Sequence, residues 1–219
     1  SQIWLYSQAK VDPLRALLAP SVRLDAHASA GDVFTTTFTR GPQAVVASTH
    51  PYGSPPALPA ALAAGPGTTP LTVTWGATST FGPGAYGAGL VREGGTLQLS
   101  TGRYDFATLE VKSGGKMQAL GAVDVRVAGI PAFREGTFVG PKASSATANS
   151  FVLATSGLSV SSGATTRLLL IAPGGIVTLA EHAMLTGAIA AKSVELRSQA
   201  KITFQDGIAG GAPCACDDG

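Results

Sequence analysis

The chain has 219 residues, of which 45% are hydrophobic and only 13% charged, with 28 glycines and 14 prolines. An apolar share of that size buries a substantial core and excludes wholesale disorder, and the glycine excess suits a β protein with many tight turns. A net charge of +2 without a basic run gives no footprint for nucleic acid, and apolar runs such as residues 168–171 are far too short to span a bilayer.

The first element, "IWLYSQAKV" from Ile3, sets a pattern: apolar residues at positions one and three, alanine at seven and an apolar residue at nine. Alternation of period two predicts a strand. Residues 12–20, "DPLRALLAP", offer the one stretch able to form a helical turn or two, bracketed by prolines. The pattern returns in "VRLDAHASA" from Val22. Residues 34–88 then interrupt it with "HPYGSPPALPAALAAGPGTTP", and seven of the fourteen prolines lie between Pro42 and Pro70. That length reads as a packed extended arm or a flexible excursion, not an ordinary connection.

"GLVREGGTL" from Gly89 resumes the pattern with glycine in the first slot, and "LEVKSGGKM" from Leu109 follows with glycine at the seventh. After a second interruption at residues 130–150 come "LSVSSGATT" from Leu158, "VTLAEHAML" from Val177 and "VELRSQAKI" from Val194. The starts are separated by 19 residues (3 to 22), 20 (89 to 109), 19 (158 to 177) and 17 (177 to 194). A period near 20 built from short strands is the signature of a solenoid.

The expectation is one all-β domain, a parallel β-solenoid (β-helix), right-handed by the usual crossover preference. Its coils fall at about 1–33, 89–129 and 151–208, with inserts at 34–88 and 130–150 and a C-terminal tail at 209–219. Each coil lies about 4.8 Å along the axis from the next. Positions one, three and nine then form inward aliphatic columns, and the small seventh residue marks a corner where the neighbouring coil comes close. The sixth positions are Gln8, His27, Gly94, Gly114, Gly163, His182 and Gln199. This turn slot takes glycine or a side chain able to bond the corner backbone, so His27 and His182 are read as structural corner residues.

The block "FGPGAYGAGLVREGGTLQLSTGRYDFATLEVKSGGKMQALGAVDVRVAG" resembles the central part of a group of bacterial and archaeal surface or pilus-associated β-solenoid domains. There a "PGxYG" turn leads to a "GGTLxLxxGxYxFxxLxVxxGG" coil. "MLTGAIAAKSVELRSQAKITFQDG" is similar to their closing coils, and the likeness covers roughly residues 20–208. It implies a solenoid fold and a cell-surface setting. The group has no common activity to carry over.

Outward positions two and four show no acidic column; acids sit beside bases, as Glu110 beside Lys112, in the manner of solvated ion pairs. Asp105 and Asp124 are placed to approach one another on adjacent strands, a thin case for carboxylate catalysis. The threonine runs "TTTFT" and "TVTWGATST" fall in the insert, not in a flat ice-binding face. No P-loop, dinucleotide fingerprint, nucleophile elbow or zinc helix is present. No catalytic residue, cofactor or metal site is therefore expected.

Cys214 and Cys216, in "CACDDG", are short of a metal ligand set and fit a local disulfide or a bond to another chain. The opening "SQIWLY" lacks signal-peptide character, as in a mature processed chain or a cytosolic one. Trp4 and Tyr6 are large outward aromatics on the first coil, typical of contact anchors. If that coil ends the stack, its open edge needs cover. Trp4, Tyr6, Cys214 and Cys216 are thus the candidates for an assembly interface. The rival is that Trp4 and Tyr6 pack under the proline-rich insert of the same chain.

The functional expectation is a non-enzymatic extracellular or cell-surface structural protein that partners itself in a filament, surface layer or matrix. The alternative is an adhesin-like module binding glycan or a surface protein, with a polysaccharide-active enzyme third. Neither nucleic acid nor a membrane span is expected.

Overall fold

A computed structural model of the chain describes residues 2–11, 17–51, 62–143 and 148–205. The nine-residue pattern dictates its geometry. Inward positions one and three alternate with solvent, so Val22 and Leu24, Leu109 and Val111, and Val177 and Leu179 are all buried. The ninth positions Val11, Leu97, Met117, Leu185 and Ile202 join them. Between the two inward pairs the chain turns at the sixth residue, which is left-handed in every repeat, with φ near 60° at Gln8, His27, His182 and Gln199. Ala9, Ala28, Ala164, Ala183 and Ala200 follow it at zero exposure.

The result is a parallel β-solenoid of about 10 turns, formed by one 21-stranded sheet. Three of the turns lie in the segments expected to be inserts. Gln43, Gly76 and Gly136 are left-handed corners of the same kind, with φ of 57°, 63° and 63°. They belong to "FTRGPQA", "LTVTWGA" and "PAFREGT". Arg40 in the third slot, Pro131 in the first and Thr137 in the seventh break the sequence pattern without breaking the coil. Within residues 12–20, Leu17–Leu18 is a strand pairing with Val33 and Phe34, not part of a helix, and residues 12–16 lie outside the described residues. The sole helical element among the described residues is a 3-10 turn, Ala148–Ser150.

Each coil contributes strands to three columns. One column begins at the strand Leu71–Val73, which pairs with Gly89 to Val91. It continues through Val111, Phe133, Val160 and Leu179 to Leu196. The chain order then jumps. Leu196 pairs with Leu5, Leu5 with Leu24, and Leu24 with Arg40. Named by their corners, the coils stack as Gly76, Gly94, Gly114, Gly136, Gly163, His182, Gln199, Gln8, His27 and Gln43.

The first coil in sequence is therefore the eighth in space, and its strand Gln2–Leu5 is paired on both edges. The expectation that it ends the stack is not met. The true ends are the Gly76 coil, with strands Leu71–Val73 and Thr78–Phe81, and the Gln43 coil, with strands Thr37–Arg40 and Val45–Pro51. Among the described residues each of these four strands has a partner on one side only.

This order obliges the proline-rich segment to travel the length of the molecule. Nine coil spacings are about 43 Å. The described part, residues 62–70, runs as a strap down the side of the stack. Its Gly65 N–H donates to Asp105 Oδ1 at 3.2 Å and its Gly67 N–H to the Tyr86 carbonyl at 3.1 Å, while Gly87 N–H donates to Thr69 at 2.8 Å.

Candidate functional site

Three places gather side chains beyond the needs of the repeat. The first is the seam where the Gln199 coil meets the Gln8 coil. Positions two and four point outward from every strand of this face, so parallel register stacks Arg23 on Trp4 on Glu195. The next outward slot holds Asp25, Tyr6 and Arg197. Arg23 Nε lies 2.8 Å from Asp25, and Arg197 pairs with Glu195 at 3.3 Å. Between these ion pairs the rings of Trp4 and Tyr6 stack at 5.4 Å. The Arg23 guanidinium sits 4.8 Å over Trp4 and that of Arg197 5.9 Å from Tyr6, both within cation–π range. Burial, then the charge and hydrogen bond of Glu195, raise the Tyr6 phenol above its ordinary value.

Backbone and hydroxyls close the same seam. Tyr6 N–H donates to the Leu196 carbonyl at 2.7 Å, Lys10 N–H to Ala200 at 2.9 Å, and Ser193 Oγ to the Gln2 carbonyl at 3.0 Å. Trp4 and Tyr6 are thus outward residues, as their positions predict, and Trp4 is 37% exposed. Among the described residues the proline-rich segment bonds Tyr86, Arg103, Asp105 and Arg126 instead. Cys214 and Cys216 lie outside the described residues.

The second place is the clamp on the strap. Register sets Arg103 beside Asp124 and Asp105 beside Arg126 on adjacent coils. Each arginine bonds the acid two residues along its own strand, at 2.9 Å for Arg103 to Asp105 and 2.7 Å for Arg126 to Asp124. The two carboxylates sit diagonally across a charge checkerboard, so they cannot share a proton as a catalytic dyad would. Both guanidinium groups also donate to the Ala63 carbonyl at 3.3 Å. Asp124 raises the Arg126 pKa above its ordinary value through their hydrogen bond. A shallow groove of about 290 Å³ continues the strap face, lined by Leu62, Ala64, Val127, Thr155, Ser156 and Pro173 and by no titratable side chain.

The third place is the pair of ends. At nine successive corners the N–H of the sixth residue donates to the carbonyl of the fifth residue of the next coil. The series runs from Gly76 to Glu93 at 3.2 Å, through Gln199 to Ser7 at 3.3 Å, to His27 and Pro42 at 3.1 Å. All nine bonds point the same way. Among the described residues this leaves the Gln43 N–H without an acceptor at one end and the Trp75 carbonyl without a donor at the other. Trp75 itself is 77% exposed and, in the Gln43 coil, Val45 is 60% exposed.

Sequence reasoning missed one polar cluster. On the Gln43 coil Ser48 Oγ lies 2.6 Å from both Asp32 Oδ1 and His50 Nε2. The residue types are those of a nucleophile with its base, but the serine stands between the other two, so the acid orients no imidazole. Phe34 stacks on the His50 ring at 4.6 Å. His27 and His182 are exposed corner residues. Glu110 accepts from Lys112 at 2.9 Å and Arg134 at 2.8 Å, which lowers its carboxyl below the usual value. Among the described residues no three His, Cys, Asp or Glu side chains gather as metal ligands, and no helix is long and apolar enough to cross a membrane. Compared with known proteins, the chain matches no family model, no curated sequence and no solved structure.

Proposed function

We propose that this chain is a non-enzymatic structural subunit that assembles with copies of itself, end to end, outside the cell or at its surface. The observation that carries the reading is the matched polarity of the two ends. Among the described residues the Gln43 N–H at one end and the Trp75 carbonyl at the other are unpaired, and they are the donor and acceptor of the bond repeated at every internal corner. Stacking one molecule on the next continues the ladder without reversing any strand. It also lays Pro42 in the fifth slot over the exposed ring of Trp75, removing a large aromatic from water. A head-to-tail contact of this kind is heterologous and grows as an open polymer, not a closed dimer. The low charge content and the resemblance to surface-associated solenoid domains support the extracellular setting.

The test is negative-stain electron microscopy and sedimentation of the purified chain across a concentration series, beside Trp75→Lys. Filaments that lengthen with concentration and shorten in the variant are expected. A monodisperse monomer at high concentration sinks the reading.

A further inference from the structure

The Gln199–Gln8 seam differs in kind from every other boundary in the stack. Elsewhere the polypeptide winds from one coil directly into its neighbour, so coils cannot part without uncoiling. No peptide within this sequence runs from the Gln199 coil into the Gln8 coil. The three coils of residues 2–51 reach the rest only through residues 52–61 and the strap that follows. Yet this boundary is finished like an internal one: four-residue register from Gln2↔Ser193 to Leu5↔Leu196, the corner bond from Gln199 to Ser7, and an aromatic pair held between two arginines.

From these two facts we infer that the three-coil block of residues 2–51 is exchanged between chains, docking on the Gln199 coil of a second copy through the same seam that it makes in its own. Exchange of an identical element costs no new interface, because the seam formed between two chains is the seam formed within one. The occupant is a second copy because its block carries the complement of this surface: Trp4 opposite Glu195, Tyr6 beside Arg197 and matching parallel edges on two columns. Geometry permits the reach. The strap is pinned by Asp105, Arg103 and Arg126 on the Gly94 and Gly114 coils. From Leu62, beside Thr155 on the Gly136 coil, the ten residues 52–61 span up to roughly 36 Å, against roughly 29 Å along the axis to the Gln43 coil. The excess lets the block reach a solenoid lying alongside.

The inference rests on the assembly reading and specifies which surface links the chains. Its test uses Gln2→Cys and Ser193→Cys, outward neighbours in register across the seam, in a full-length background with Cys214→Ser and Cys216→Ser. Neighbouring parallel strands bring such a pair within disulfide range. The two single variants are mixed, unfolded, refolded together and oxidised, and the double variant is oxidised alone. Exchange predicts a species of twice the chain mass in the mixture and a covalent ladder from the double variant. Internal crosslinks only, with no mixed species, overturn exchange. If microscopy then still shows filaments, end-to-end assembly stands alone; if it shows monomers, both readings fall. No crosslink of either kind also overturns the inference, because the seam itself is then unformed.

Discussion

The hydroxyl of Ser198 donates to the carbonyl of Ser7 at 2.9 Å, across a sequence separation of 191 residues. This bond and the corner bond beside it hold together coils that no peptide joins. The Gln8, His27 and Gln43 coils stack in the same parallel register as the seven others, but no coil-to-coil peptide crosses the seam that attaches them. Stability is therefore expected to differ between the blocks, the seam being the first boundary to open.

The double variant Trp4→Ala, Tyr6→Ala tests that expectation. It removes one aromatic pair, worth about 0.5–1.5 kcal/mol, and two exposed cation–π contacts of about 0.5–1 kcal/mol each. A loss of roughly 1.5–3.5 kcal/mol is concentrated at the seam. Amide hydrogen exchange should quicken about ten- to three-hundredfold at Tyr6, Lys10 and Gln199, and stay unchanged at Gly94 and Gly114. Uniform acceleration along the whole stack would show that the seam is no weaker than its neighbours.

Glycines in the repeat do two separate jobs. At Gly114 (φ 66°) an added Cβ meets nothing closer than the Gly94 nitrogen at 3.9 Å, so only the left-handed backbone opposes a side chain. Gly114→Ala should cost about 1 kcal/mol. At Gly89 the added Cβ would lie 2.9 Å from the Phe106 ring and 3.0 Å from Leu109 Cδ1. Gly89→Val is overpacking in a rigid core and should cost about 2–3 kcal/mol. Thermal unfolding of the two variants checks the order; equal losses would contradict it.

The Gly89 position shows how much of the fold is legible in sequence. The repeat marks its slot as an inward one, while the reason for glycine there, the Phe106 ring, requires the structure. Seven coils can be read because their apolar and small residues recur at fixed spacing. The Gln43, Gly76 and Gly136 coils are illegible because Arg40, Ser79 and Thr137 occupy slots that the pattern reserves for apolar or small residues. The outward placement of Trp4 and Tyr6 follows from alternation alone. Their neighbours do not, because a periodic pattern states which positions stack without stating which coil lies next to which. Asp105 and Asp124 do lie on adjacent strands as expected, but register, invisible in the sequence, gives each an arginine for a neighbour.

Thr137 offers a direct test of the small-residue column. It occupies the slot that alanine or glycine fills in the other coils, is 1% exposed, and its Oγ1 has no hydrogen-bond partner. A buried unsatisfied hydroxyl costs about 1–3 kcal/mol. Thr137→Val keeps the shape and removes the orphan group, so it should stabilise the protein by about 1–2 kcal/mol. For a chain of this size that is a rise in melting temperature of roughly 2–8 °C. A lower melting temperature would mean that water or a backbone shift already satisfies the hydroxyl.

Tyr104 should set the alkaline limit of the fold. Its side chain is fully buried among the stacked aromatics, and its single proton is shared between the carbonyls of Phe81 and Ser100, each at 2.9 Å. Burial pushes its phenol up to about 12, from an unfolded value near 10. Below pH 10 both states hold the proton and stability is independent of it. Between pH 10 and about 12 the unfolded chain ionises while the folded one does not, so protons are bound more tightly by the native state and stability falls as pH rises. Tyr104→Phe cannot ionise. It should lose about 1–3 kcal/mol at neutral pH, because both carbonyls lose a donor, yet unfold with a flatter pH dependence above 10. Urea unfolding of both proteins at pH 8 and pH 11 decides the matter: parallel losses in the two would exclude Tyr104 as the titrating group.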